Sequence, residues 1–190
     1  MSLDEPTLGH RAMPRVEAGP LAIGATLGER YRVLEYLGRG GMGVVYRARD
    51  LHVGADIALK LIAPEVSADP VRIEALRAEV RLARLVTHPN VCRIHDLERS
   101  GDALFVTMSL VDGESLEARL AREGALPLEV ARRILHDVVL GLTAIHGSDV
   151  VHRDLKPSNV LLDAATGRAI IADFGVAIAT RFFAAGALCP

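Results

Sequence analysis

The spacing of apolar residues changes character along the chain. From Tyr31 the pattern is one of short runs with period two: Tyr31, Val33 and Leu37, then Val44 to Ala48, then Ile57, Leu59 and Leu61. Alternate residues of an extended chain point to opposite faces, so these runs predict three antiparallel strands, each turning one face to a core. Ala68-Asp69-Pro70 then carries a helix-start signal, an acid able to cap beside a proline suited to the first helical position. Ile73, Leu76, Val80 and Ala83 follow at spacings of three, four and three and predict a helix, with Glu79 on the border of its apolar face. His88-Pro89-Asn90 closes that pattern, and Val91 to Leu97 and Ala103 to Met108 supply two further strands. The expectation for this first part is five strands and one helix.

After Val111-Asp112-Gly113 the pattern becomes helical. Ser115 can cap a short helix, and a longer one runs from Pro127 to about His146. On the longer helix Val130, Ile134, Val138, Leu142 and Ile145 form one continuous apolar stripe, which requires a second core to pack into. The expected organisation is a flexible leader over 1–28, a first lobe over 29–111 and a second over 112–190.

Composition narrows the function classes. With half of its 190 residues apolar, the chain can bury a sizeable core and is expected to be globular. A formal charge of −2 offers neither nucleic acid nor an anionic membrane the basic surface each selects. Cys92 and Cys189 stand far apart without a CxxC pair or a nearby histidine cluster, so neither a disulfide framework nor a zinc site is indicated, and a reducing cytoplasm fits best. The leader lacks the basic start and apolar stretch of a secretory signal. The most apolar stretch, from Ala169 to Pro190, is broken by Asp173 and Arg181, so no membrane span is expected.

Three segments carry chemistry. Gly38-Arg39-Gly40-Gly41-Met42-Gly43 satisfies G-x-G-x-x-G, a loop whose missing side chains let backbone amides approach phosphate oxygens. The same spacing opens dinucleotide-binding folds, but there the glycines join a strand to a helix, whereas here strand-like residues lie on both sides; a glycine-rich hairpin turn with no ligand is the plain alternative. In Ile57-Ala58-Leu59-Lys60 a single lysine enters an apolar strand, where its ammonium needs an anion such as a phosphate, unless it merely snorkels from a strand edge. Glu79, on the inner border of its helix, can pair with Lys60 and hold it toward phosphates, or be a plain surface glutamate. The third segment is Val151-His152-Arg153-Asp154-Leu155-Lys156-Pro157-Ser158-Asn159, followed by Asp173-Phe174-Gly175.

With these motifs in this order, H-R-D-L-x-x-x-N and D-F-G behind a glycine loop and a strand lysine, the chain resembles the eukaryotic-type protein kinases from about Glu29 to Gly175. Lys156 resembles the Ser/Thr-specific subgroup, and Leu37 to Asp50 its bacterial members. The resemblance implies an α+β, two-lobed protein-kinase-like fold, with a five-stranded antiparallel N-lobe carrying one helix and an incomplete, mainly helical C-lobe. It implies ATP and Mg2+ as cofactors and a protein with a Ser or Thr acceptor as partner, while oligomeric state stays open. Asp154 would then accept the hydroxyl proton, Lys156 steady the γ-phosphate, and Asn159 and Asp173 hold magnesium. Gly38, Gly40, Gly43 and Lys60 would face the phosphates, and Leu37, Val45, Ala58 and Leu161 would sandwich the adenine. Met108 would stand as gatekeeper before the backbone of Ser109 to Val111, which would hydrogen-bond the adenine edge. Each apolar residue of this set is equally explained as plain core.

Two departures stand out. Ser109 replaces the glutamate usual after the gatekeeper. Seventeen residues follow Asp173 without A-P-E, an activation segment or the later helices, so the second lobe is expected to be incomplete. The sequence therefore supports a Ser/Thr kinase first. Behind it stands a truncated, non-catalytic remnant that binds ATP or acts as a scaffold. An interaction module without nucleotide would need Lys60, Glu79, Asn159 and Asp173 all to be bystanders.

Overall fold

A computed structural model describes residues 20–40 and 43–173. Their strands form two sheets. The larger holds β1 (Thr26–Leu27), β2 (Tyr31–Gly40), β3 (Gly43–Asp50), β4 (Ala55–Ile62), β5 (Ile94–Ser100) and β6 (Ala103–Ser109), in the spatial order β1-β2-β3-β4-β6-β5 and antiparallel throughout. Between β4 and β5 the chain makes α1 (Pro64–Ser67) and α2 (Pro70–Ala83). Beyond the first sheet lie β7 (Gly113–Ser115), α3 (Leu116–Glu123), α4 (Leu128–His146), β8 (Val160–Asp163) and β9 (Ala169–Ile171), and β7, β8 and β9 pair as the second sheet.

The alternation read from the sequence is what divides the interior. Tyr31, Val33, Tyr46, Ala48, Leu59 and Phe105 fill a core on one face of the large sheet, where Tyr31 meets Phe105 edge-to-face at 5.7 Å. The opposite face, with Ala58 and Val106, joins Leu76, Val80 and Ala83 of α2. That second core continues without a break into Ile134, Val138 and Ile145 of α4 and Val160 and Ile171 of the small sheet. One apolar body thus ties the two lobes together. No helix among the described residues is long and apolar enough to cross a membrane.

The capping signals act as the sequence indicates. Asp69 accepts from the amides of Val71 and Arg72 with Pro70 in the first turn, and the Ser115 hydroxyl accepts from the amide of Ala118. Four features differ from the expectation. Residues 20–28, read as leader, join the fold: Thr26–Leu27 add a sixth strand against β2, Leu27 enters the outer core, and the Leu21 amide donates to the Tyr46 hydroxyl. Pro64 opens the unforeseen α1, which buries Val66. α2 stops at Ala83, where tight turns take over and bring Val86 into the core. Val91 and Cys92, expected to open a strand, turn instead to β9: Val91 bridges Ile171 and the Cys92 amide donates to the Ile171 carbonyl at 2.8 Å, so β5 begins at Ile94.

Candidate active site

The glycine segment joins two antiparallel strands, with Gly40 paired to Gly43 and strands β2 and β3 on both sides. The strand–helix arrangement of dinucleotide-binding folds is thereby excluded. Residues 41 and 42 of the loop lie outside the described residues. The described glycines differ in what demands them. At Gly43 φ is +149° and a Cβ would stand 1.8 Å from the Leu61 carbonyl oxygen, so the fold itself requires glycine. At Gly38 and Gly40 a Cβ would meet nothing within 4 Å. Packing among the described residues does not explain those two.

Below the hairpin, Val45, Ala58, Met108, Val111 and Leu161 come together at the inner core, whereas Leu37 remains 46% exposed on β2. Ser109 follows Met108 at the end of β6; its amide donates to the Arg93 carbonyl at 2.9 Å, and its carbonyl accepts from the Cys92 thiol at 3.3 Å. Burial pushes that thiol up to about 12, so it stays protonated.

Lys60 is only 2% exposed on β4, and its ammonium finds an anion, but not the expected one. Nζ lies 2.8 Å from Oδ1 of Asp173. Glu79 is buried on the inward face of α2, as its helical position indicates, yet no Lys60–Glu79 ion pair occurs among the described residues. Helical register predicts which face an acid occupies; which of two acids the lysine reaches depends on the tertiary placement of β9.

The catalytic-loop motif forms a compact polar cluster. Buried His152 sits with Nε2 3.0 Å from the Ala172 carbonyl, and the Asp154 amide donates to the His152 carbonyl at 2.8 Å. Burial holds this imidazole below the usual histidine range, in keeping with a structural, neutral ring. Asn159 Nδ2 donates to the Asp154 carbonyl at 2.8 Å and to Oδ2 of its carboxylate at 3.2 Å, and Lys156 Nζ lies 2.8 Å from the same Oδ2. The hydrogen-bonded Lys156 ammonium holds Asp154 below the usual carboxylate range and is itself raised by Asp154. Both contacts fall on one oxygen, and among the described residues none falls on Oδ1. Arg153 and Asp173 adopt left-handed φ of 63° and 59°, uncommon for residues with side chains and concentrated at functional sites.

The donor set suits a hard, oxygen-seeking divalent cation. Asn159 spends its amide nitrogen on Asp154, which frees its side-chain oxygen as a ligand, and among the described residues only Oδ1 of Asp173 is engaged, by Lys60. Among the described residues no three His, Cys, Asp or Glu side chains gather into a metal cluster. Magnesium fits such a site, because it is bound by one or two protein oxygens together with substrate phosphates. A cavity of about 880 Å³ adjoins the glycine hairpin, lined by Gly40, Gly43, Val44, Leu61, Pro64 and Arg99, and none of Lys60, Asp154, Asn159 or Asp173 lines it. Sequence reasoning missed Asn90, read only as a helix stop; its signal was a polar residue between two apolar segments.

Residues 31–182 match the model of the protein kinase domain. The chain belongs to the protein kinase family. It is 39% identical over 160 residues to the serine/threonine-protein kinase PknA of Mycobacterium tuberculosis, covering 82% of this chain and 37% of PknA. It is 33% identical over 159 residues to the serine/threonine-protein kinase PrkC of Bacillus subtilis, covering 84% of this chain and 24% of PrkC. Among solved structures it resembles the PknI kinase domain of Mycobacterium tuberculosis, with a TM-score of 0.73 and 31% identity over 83% of this chain and 64% of that one. This kinase domain thus spans well under half of the curated relatives, and its likeness is to bacterial members of the family. Phe174 and Gly175 and the ending read as departing from the family lie outside the described residues.

Proposed function

We propose that this chain carries the nucleotide-binding and catalytic-loop machinery of a Ser/Thr protein kinase, which moves the γ-phosphoryl group of ATP to a protein hydroxyl. The observation that carries this reading is that Lys60 meets Asp173 while Lys156 and Asn159 meet Asp154, the two groups being joined by the bond from the Ala172 amide to the Asn159 backbone carbonyl. In the transfer, the bond from Pγ to the bridging oxygen of ADP breaks as the substrate oxygen bonds to Pγ. Asp154 takes the hydroxyl proton on its Oδ1. Lys156 exchanges Asp154 for the passing phosphoryl oxygens, and Lys60 exchanges Asp173 for the nucleotide's phosphates. Asn159 and Asp173 would hold magnesium, whose charge would offset that on the phosphate oxygens. Leu37, Val45, Ala58 and Leu161 would enclose the adenine, with Met108 behind it and the backbone of Ser109 to Val111 along its edge. Catalysis on this reading is positioning and electrostatics. The partner is a protein presenting Ser or Thr, and free, buried Cys92 supports the cytoplasm as the compartment.

The test is thermal melting of the 190-residue chain with and without ATP and magnesium, repeated for Lys60→Met and Asp173→Asn. Ligand binding to the native state raises the midpoint by mass action. A wild-type rise that both substitutions abolish is the expected result, followed by phosphotransfer that Asp154→Asn removes. A rise without Asp154-dependent transfer leaves a nucleotide-binding scaffold, and no rise at all overturns the reading.

A further inference from the structure

Asn90 lies in the connection between α2 and β5 and is only 3% exposed. Ending a helix does not require a buried primary amide, and burying one without partners is unfavourable. Its backbone amide donates to His88 Nδ1 at 3.2 Å, and its other bonds go to β9: the side-chain Nδ2 donates to the Ala169 carbonyl at 2.8 Å, and the backbone carbonyl of Asn90 accepts from the Ile171 amide at 2.8 Å. From the other side, Asp137 on α4 accepts from the Ala169 amide at 2.9 Å. Both polar backbone groups of Ala169 are therefore taken by side chains from outside its sheet. The fit is close: a Cβ on Gly141 of α4 would stand 2.7 Å from the Asn90 carbonyl oxygen and 2.8 Å from the Ile171 side chain.

Directly after β9 come Ala172, whose amide donates to the Asn159 carbonyl at 2.8 Å, and Asp173, whose carboxylate meets Lys60. Every tether on residues 169–172 thus bears on where Asp173 stands relative to Asn159. The Asn90 amide is the side-chain tether that comes from the first lobe. We infer that Asn90 is a positioning residue for Asp173: its side chain holds Ala169 beside the backbone bond to Ile171, sets β9 against the first lobe, and so sets where the Asp173 carboxylate is presented to a divalent cation. This rests on the reading of Asp173 as a metal-holding residue.

The test uses the 190-residue chain and a fluorescent ATP analogue, whose binding is followed by anisotropy while magnesium chloride is titrated. Asn90→Ala is expected to raise the magnesium concentration for half-maximal binding by about three- to ten-fold, the effect of one lost buried hydrogen bond, while metal-free affinity stays unchanged. Asn90→Ser, which keeps a donor on a shorter arm, should fall between this variant and wild type. Val33→Ala, a cavity in the outer core far from β9, controls for general destabilisation and should keep the wild-type magnesium requirement. A wild-type requirement in Asn90→Ala, an equal shift in Val33→Ala, or failure of both Asn90 variants to fold overturns the inference alone. An unaltered magnesium requirement in Asp173→Asn sinks the reading of Asp173 and the inference with it.

Discussion

At Asp154 two donors, the Lys156 ammonium and the Asn159 amide, share a single carboxylate oxygen. The charge-assisted contact from Lys156 is the main reason this carboxyl titrates below its ordinary range. On the proposed reading its anionic form takes the substrate proton, so the acid limb of a phosphotransfer profile is expected at lower pH than for an isolated aspartate. Lys156→Met removes the stabilisation of the anion, so the pKa must rise. Its pH–rate profile should therefore show the acid limb displaced to higher pH, along with a lower plateau; an unmoved limb would detach the titration from this pair. The existence of such residues was legible because motif spacing names them. Their pairing was not, since the preference of Lys60 for Asp173 over Glu79 depends on distances between segments far apart in the chain.

Among the elements, α2 shows how much short-range signals specify. Asp69 caps it by accepting from two amides, with Pro70 behind, and both features stand in the sequence as written. Asp69→Ala should lower stability by about 1 kcal/mol, read as a drop in melting midpoint, and a change near zero would mean the first turn is held by packing alone. The apolar stripe on α4 was equally legible: Ile134, Val138 and Ile145 are buried and Val130 and Leu142 pack beside them. Elements that depend on a distant partner were not. Thr26–Leu27 is too short to show a period and becomes a strand through pairing with β2. Val91 and Cys92 have strand character, and β9 competes for their backbone and wins. The placement of Asp173 depends on that competition, which is why Asn90 passed as a mere helix stop.

For the molecule as a whole, α4 carries a second apolar face. Leu128, Leu135 and Val139 are 73%, 63% and 59% exposed, a row wide enough to favour association. The chain is expected to self-associate with rising concentration in light scattering, and Leu135→Lys with Val139→Lys should suppress this while leaving the ATP-dependent rise in melting midpoint intact. Association unaffected by the pair would assign it to another surface. The sheet order has a different consequence, for the order of events during synthesis. In the large sheet β1–β2, β2–β3, β3–β4 and β5–β6 are neighbours in sequence, and the β4–β6 pairing closes within the first lobe. Asn90, by contrast, bonds a residue 79 positions later, which a ribosome delivers roughly 4 to 16 s afterwards. Hairpins form in about 1–10 μs, so the nascent first lobe has time to close long before β9 exists. Throughout that interval the inner face of the sheet awaits its lid, a built-in window for a nascent-chain chaperone.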